Sequence, residues 1–266
     1  MKKVVFMSAL AALSLSFASC KDASQSAPSE VSENTETPAP TELALANPTE
    51  LASESTSKYV YVTAPSGLSL REYNNLQSNK LARMPYGTKV KVMASEGKNT
   101  MTVTGIEGAM DQVEFNHKTG YAFNGYLSEY FPPEKDITVT AYASQLQEEF
   151  PKVQYTSKVT GTTSKPINTE TLVLPNAQWH EAFYTAQNLF DFPKEFVFPN
   201  PKGKDSETVF DSKPKKGIWV SQLEVTRKEN ELQKIMYVYG SKEFKSRVTI
   251  EKEGNALTIS RTEEVR

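Results

Sequence analysis

The sequence predicts a mainly β protein whose folded part begins near residue 58. Three observations support this fold class. Short runs that alternate apolar and polar residues recur from residue 59 to residue 260, as in strands with one buried face. Helical spacing of apolar residues is limited to two segments of the second half. Residues 21–57 contain no aromatic residue and no Gly, so this stretch is not expected to fold.

The composition excludes several classes of protein. The chain has 266 residues, 38% of them hydrophobic, and a mean hydropathy of -0.50. A polytopic membrane protein contains several apolar runs of about 18 residues or more, and no apolar run of this sequence reaches that length. The single Cys argues against a disulfide scaffold and a thiolate metal site, and two His residues argue against a His-rich metal centre. We expect no bound metal and no cofactor.

The net charge of -2 hides an uneven distribution. Residues 21–57 carry seven acidic groups and one Lys, whereas residues 58–266 carry 27 basic and 25 acidic groups. A nearly neutral folded part lacks the concentrated basic face that nucleic acids require, so nucleic acid is not an expected partner.

The first 19 residues have the pattern of a secretory signal peptide. Lys2 and Lys3 precede an apolar run from Val4 to Phe17, which as a helix spans about 21 Å, short of a hydrocarbon core of roughly 30 Å. The sequence Phe17-Ala18-Ser19-Cys20 resembles the bacterial lipobox. That resemblance implies a lipoprotein signal over 1–19 and acyl chains such as palmitate on Cys20. The alternative is a secreted protein cleaved near Ala18, with a free thiol.

Residues 20–57 follow as the lipidated Cys and a disordered linker. The linker is rich in Ser, Thr, Glu and Pro and buries too little apolar surface to offset its ordering entropy. Its 37 residues would span roughly 35 Å as a flexible coil. Such a linker would hold the folded part away from the membrane that the lipid anchors. Pro38-Ala39-Pro40 fits a stiff linker better than a polyproline ligand.

Residues 58–134 show the alternation of a small, strongly bent antiparallel sheet or barrel. The alternating runs are Tyr59 to Val62, Val90 and Val92, Met101 and Val103, Val113 and Phe115, and Tyr121 and Phe123. Three further segments, Ser66 to Arg71, Met84 to Val92 and Thr119 to Leu127, resemble in order and spacing the motifs of the bacterial SH3 (SH3b) domain. The similarity covers residues 59–131, and it implies a small SH3-like β-barrel.

Four residues of this segment are candidates for ligand binding. Tyr73, Tyr86 and Tyr126 lie in predicted loops or turns and could line a shallow groove for a peptide or glycan, and Arg71 precedes the loop that carries Tyr73. The alternative for the tyrosines is core or rim packing, and the alternative for Arg71 is hydrogen bonding to loop carbonyls. Two positions depart from the SH3b pattern, because Ser69 replaces an Asn and Met110 lies near the position of a Trp.

Residues 135–266 predict a second domain of the α+β type, after the break at Phe131-Pro132-Pro133. A short helix is expected over Ala141–Phe150. The main helix is expected over Asn176–Phe192, with Asn176 as the N-cap and His180 beside its apolar stripe. The stripe consists of Trp179, Phe183, Ala186 and Phe190. An antiparallel meander should follow, with strands at Ile218–Thr226, Leu232–Tyr239, Phe244–Lys252 and Ala256–Ser260.

The residues give no indication of an enzyme. A thiol peptidase, which often accompanies SH3b modules, needs a Cys nucleophile, and the only Cys is the lipidated one. No serine-hydrolase, zinc-protease or nucleotide-binding motif occurs. The pairs Glu148-Glu149 and Glu263-Glu264 are adjacent in sequence and fit a solvated surface. A glycosidase would need carboxylates that the fold brings together.

Two functions without catalysis remain open. In the first, the protein is lipid-anchored in the bacterial cell envelope and binds peptidoglycan or a wall-associated peptide through its SH3b-like domain. Its membrane would be the outer membrane, and it would face the periplasm or the outside. In the second, the protein is an envelope adaptor that binds another protein and does not contact the wall.

The first testable prediction concerns the anchor. Replacing Cys20 with Ala should move the protein from the membrane fraction to the soluble or unprocessed pool, because the acyl chains are then lost. Fractionation and mass spectrometry of the mature N-terminus measure this. A wild-type protein that is soluble and carries no acyl chain would contradict the prediction.

Overall fold

The computed structural model describes residues 58–190 and 192–266, so the signal peptide, Cys20 and the linker lie outside the described residues. The described part is mainly β and its sheets are antiparallel, which confirms that part of the fold class. No helix among the described residues is long and apolar enough to cross a membrane.

The first half contains nine strands and one 3₁₀ turn among the described residues. The elements are β1 (Lys58–Val62), β2 (Leu68–Arg71), β3 (Lys80–Met84), β4 (Lys89–Ala94), β5 (Met101–Val103), β6 (Ile106–Gly108), β7 (Met110–Phe115), β8 (Lys118–Phe123), the 3₁₀ turn Asn124–Tyr126 and β9 (Leu127–Ser128).

The second half contains two helices and seven strands among the described residues. They are α1 (Val139–Glu149), β10 (Gln154–Thr162), β11 (Lys165–Pro175), α2 (Trp179–Leu189), β12 (Ser206–Phe210), β13 (Val220–Lys228), β14 (Glu231–Gly240), β15 (Phe244–Glu253) and β16 (Ala256–Val265).

The N-terminal sheet has the strand order β3-β2-β8-β7-β4-β1-β9, and β5 pairs with β6 in a separate hairpin. Its edge strands β3 and β9 do not pair with each other, so the described residues form no closed barrel. Val62, Leu70 and Val113 are fully buried on its inner face. Gly120 allows β8 to approach β2, because a Cβ at this position would lie 2.6 Å from the carbonyl oxygen of Arg71.

The C-terminal sheet has the order β10-β11-β16-β15-β14-β13-β12. Its strands β13 to β16 confirm the four predicted strands of the meander, and the predicted hairpin is present because Glu253 pairs with Ala256 across a turn at Gly254. Strands β10, β11 and β12 were not expected from the sequence. The short helix is confirmed as α1, which ends before Pro151.

The N-terminus of α2 differs from the prediction that Asn176 is the N-cap. Gln178 is the N-cap, and it forms a capping box with Glu181. Asn176 instead has a left-handed backbone with φ 61°, and its N–H donates to the carbonyl oxygen of Asn255 at 2.7 Å. This contact fixes Asn176 to the β15–β16 turn, so the helix begins at Trp179.

Helix α2 packs against both sheets. Phe183 is fully buried and its ring lies 5.8 Å from that of Phe198 in the C-terminal half. On the N-terminal side, the ring of Tyr184 lies 6.4 Å from that of Tyr126. One hydrophobic core therefore runs through both segments, and the described residues belong to one compact unit. The domain boundary at residue 134 stays a prediction.

A buried arginine fixes the loop before β12. The side chain of Arg227 is 1% exposed and makes three hydrogen bonds. Its Nε donates to the carbonyl oxygen of Asn200 and one terminal nitrogen to that of Lys204, both at 2.9 Å. The other terminal nitrogen forms a 2.8 Å ion pair with Glu207 of β12. The Arg227 side chain thus donates to two loop carbonyls and pairs with an acidic side chain of the edge strand.

The second prediction follows from this contact. Arg227→Ala should lower the free energy of unfolding by about 3 kcal/mol, because a buried, hydrogen-bonded charge pair is broken and loop carbonyls lose their donor. Lys234→Ala is the matched control, since it removes a half-exposed ion pair to Glu251 and should cost about 1 kcal/mol or less. Urea unfolding measures both. Equal losses in the two variants would contradict the prediction.

Candidate functional site

A groove of about 1130 Å³ lies where the two halves meet. We call it the junction groove. It lies between β1, the β3–β4 turn, the segment 131–136, the end of α1 and the end of α2. Its lining comprises Tyr61, Tyr86, Gly87, Phe131 to Asp136, Gln145, Glu149, Gln187, Asn188, Phe192 to Lys194 and Lys215.

Aromatic side chains contribute an apolar wall to the junction groove. The rings of Tyr61 and Phe131 meet edge to face with centroids 5.8 Å apart, and Phe131 meets Tyr142 of α1 in the same way, also at 5.8 Å. The hydroxyl of Tyr142 donates to the carbonyl oxygen of Phe131 at 2.8 Å. Because Tyr142 is fully buried, its pKa is raised and it remains a neutral donor. The segment that begins at Phe131 is therefore fixed to α1.

A chain of hydrogen bonds crosses the junction groove from one half of the protein to the other. The side-chain amide of Asn188 on α2 donates to the hydroxyl of Tyr86 at 3.0 Å, and this hydroxyl donates to the carbonyl oxygen of Pro133 at 3.1 Å. The amide oxygen of Asn188 accepts from Nζ of Lys194 at 2.6 Å. Burial raises the pKa of Tyr86. The β3–β4 turn is thus held to α2 by neutral donors and acceptors.

Charges of both signs surround this apolar wall. The acidic groups are Glu134, Asp136 and Glu149, and the basic groups are Lys135, Lys194 and Lys215. The hydroxyl of Tyr61 lies 3.5 Å from Oε2 of Glu149, and Nζ of Lys89 lies 5.3 Å from the centre of the Tyr61 ring. The groove can therefore contact a ligand that carries both an amine and a carboxylate next to apolar groups.

The predicted binding residues lie in three different environments. Tyr86 lines the junction groove. Tyr126 is packed instead, because its ring lies 5.8 Å from that of Phe123 and its hydroxyl lies 2.7 Å from the hydroxyl of Thr104. Tyr73 is 58% exposed in the loop between β2 and β3.

The structure does not bring Tyr73 and Tyr86 together. Arg71 pairs with Lys80 at the start of β3, and Tyr73 follows Arg71, whereas Tyr86 follows the opposite end of β3 at Met84. Arg71 donates to the carbonyl oxygen of Ser78 at 2.8 Å. Hydrogen bonding to a loop carbonyl is the alternative role of Arg71 that the sequence analysis left open.

Sequence reasoning missed most of the groove. Tyr61 and Phe131 are partly buried, and their sequence positions indicated only a strand and a domain break. Asn188 and Lys194 come from the end of α2 and the following loop, which carried no motif. Their shared role depends on contacts between residues far apart in sequence.

The start of α2 holds two ionisable groups away from water. Burial lowers the pKa of His180 from its usual 6.5 to about 4, although the backbone of Gly125 opposes this through a hydrogen bond. Burial also raises the pKa of Glu181, which is bonded to Ser128 and to the N–H of Gln178. Among the described residues, no group of three or more His, Cys, Asp or Glu side chains could hold a metal ion.

The third prediction uses His180. Between pH 6.5 and about 4 the unfolded chain binds a proton at this residue that the folded chain does not, so stability should fall as the pH falls through this window. His180→Gln should lose this pH dependence of stability. Glu181 contributes a pH dependence of opposite sign in both proteins, so the difference between the variant and wild type isolates the part due to His180. Thermal unfolding from pH 7 to 4 measures the difference. A titration of His180 near pH 6.5 by NMR would contradict the prediction.

The geometry of the junction groove suits binding. Its hydroxyl and amide groups are engaged in fixed hydrogen bonds, and its charged groups surround an apolar wall. Comparison of the chain with protein-family models, with curated proteins and with solved structures finds no match.

Proposed function

We propose that this protein is a lipid-anchored, non-catalytic binding protein of the bacterial cell envelope, and that it binds peptidoglycan or a wall-associated peptide. The lipid on Cys20 anchors it to the outer membrane. The linker over 21–57 lets the folded part lie at a distance from that membrane. The folded part contributes the junction groove as the peptide-binding site.

The observation that carries the proposal is the pairing of an aromatic wall with charges of both signs in the junction groove. Wall peptides that are not cross-linked carry a free amine as well as carboxylates, next to small apolar side chains. Glu134 and Glu149 suit the amine, and Lys215 suits a carboxylate. The chemistry of the groove matches that of such a ligand.

The resemblance to SH3b domains supports the same function. The three motif segments correspond to β2, to the β3–β4 turn with β4, and to β8 with the 3₁₀ turn, all in one antiparallel sheet. We propose that this sheet is an SH3b-like module whose β3–β4 turn has been adapted to the groove. Tyr86, on that turn, is the predicted binding residue that meets the ligand there.

The second candidate function is an envelope adaptor that binds a protein without contacting the wall. One observation favours it. Met110 lies near the position of a Trp in SH3b domains, and here it is a core residue that is 2% exposed. If relatives use that Trp to contact their ligand, this copy lacks it. The adaptor would then use the junction groove for an extended segment of its partner.

The fourth prediction tests the groove with the full chain, purified in detergent and sedimented with purified wall sacculi. Lys215→Glu should weaken binding roughly tenfold, because it reverses a charge at the rim of the groove. Lys213→Glu is the matched control, since Lys213 is also exposed, is two residues away and does not line the groove. It should bind as wild type does.

Two further outcomes separate the alternatives. Loss of binding in Tyr73→Ala with normal binding in Lys215→Glu would place the site at the β2–β3 loop and contradict the groove. Wild-type protein that stays in the supernatant with sacculi would contradict wall binding and favour the adaptor.

A further inference from the structure

The C-terminal sheet carries a second hollow, on the face that points away from the core. The inner face of the sheet is buried by residues such as Leu223 and Val248. The alternate residues form the outer face, where a hollow of about 390 Å³ extends over β13, β14 and β15. We call it the outer-face hollow. It shares no lining residue with the junction groove.

A glycine, Gly240, lies in the lining of the outer-face hollow. Across the strands, Val220 of β13 pairs with Gly240 of β14, and Gly240 pairs with Lys245 of β15. A Cβ at Gly240 would lie 3.2 Å from the carbonyl oxygen of Phe244, so a side chain here would be crowded. A glycine in a strand marks a place where another group can approach the backbone closely.

An exposed tryptophan stands at the edge of the outer-face hollow. Trp219 is 67% exposed, and its backbone is fixed because its N–H donates to the carbonyl oxygen of Gly240 at 2.9 Å. Trp219 directly precedes β13, this hydrogen bond ties its backbone to β14, and its ring is available to solvent. Indole rings contribute large contact areas at binding sites, and their electron-rich face attracts the C–H groups on one face of a saturated ring.

The outer-face hollow has an excess of positive charge. Lys245, Arg247 and Arg266 line it, and Glu224 is the one acidic group in its lining. Glu224 already accepts a hydrogen bond from Gln222 at 2.6 Å. Arg247 pairs with a neighbouring Glu264 at 3.1 Å, but in the described part of the chain no ion pair engages Lys245 or Arg266. Two cations are thus free to contact an anionic ligand.

The position of the hollow argues against an extended peptide as its ligand. Strands β13, β14 and β15 are internal to the sheet, and β12 pairs with β13 from Gln222 to Thr226. A peptide that adds to a sheet needs an unpaired edge, and this hollow offers only side chains and a glycine. What remains is an exposed indole beside cationic groups, which suits a ring that carries a carboxylate.

We propose that the outer-face hollow binds an acidic sugar, a pyranose unit with a carboxylate, within an anionic glycan. The ring stacks on Trp219 above Gly240, and the carboxylate is bound by Lys245 and Arg266. This site does not depend on the proposed function of the junction groove, since the two share no residue.

The experiment measures binding of the full chain, purified in detergent, to hexagalacturonate by calorimetry. Trp219→Ala should weaken binding by roughly tenfold or more, and Lys245→Ala by roughly fivefold. Phe210→Ala is the control for Trp219, because Phe210 is 71% exposed but lies outside the hollow. Lys213→Ala is the control for Lys245. Both controls should bind as wild type does, and circular dichroism checks that every variant is folded.

Two other probes define the class of ligand. Maltohexaose, which is neutral, and hexaglutamate, which is an acidic peptide, should each bind at least roughly tenfold more weakly than hexagalacturonate. Equal binding of hexaglutamate would show a site for acidic peptides and overturn the proposal. Absence of hexagalacturonate binding, or an unchanged affinity in Trp219→Ala, would overturn it as well. Binding to sacculi through the junction groove is measured separately, so the two failures are distinguishable.

Discussion

The structure depends on one helix that has to be buried on two sides. Phe183 and Ala186 of α2 fill the core above the C-terminal sheet, whereas Tyr184 and Asn188 contact the N-terminal half. Both sheets share one continuous hydrophobic core with this helix. The polar groups that α2 carries are consequently desolvated, which explains the lowered pKa of His180 at its start. The same packing positions the end of α2 beside the β3–β4 turn and so forms the junction groove.

The hydrogen bonds of Tyr86 give the junction groove a defined width. A partly buried hydroxyl that lost its partners would cost about 1 to 3 kcal/mol, so the contacts to Asn188 and Pro133 hold the two halves at a fixed distance. Tyr86 therefore has a structural role in addition to its place in the groove lining. This dual role explains why its hydroxyl is not free to recognise a ligand, and why recognition falls to the aromatic ring and to the surrounding charges.

Local patterns in the sequence predicted the strands that bury one face, because their residues alternate, and they failed for strands that bury neither face. Strands β13 to β16 each have a buried face, and the hairpin at Gly254 follows from its turn residues. Strands β10 and β12 are edge strands with almost every residue exposed, so their Thr, Ser and Glu residues show no apolar alternation. The N-cap of α2 was misplaced because Asn176 is held by Asn255, 79 positions away in sequence. The junction groove was not predictable for the same reason, since its members come from both halves of the chain.

The two candidate binding surfaces respond differently to changes in the core. The junction groove exists only while α2 holds the two halves together, so a substitution that weakens the packing of Phe183 would also disturb the groove. The outer-face hollow rests on the ladder of β13, β14 and β15, whose backbone hydrogen bonds do not involve α2. Because contacts far apart with no shared partner act almost independently, changes in one surface should leave the other nearly unaffected. The two proposed sites are therefore compatible, since a ligand in one does not compete with a ligand in the other.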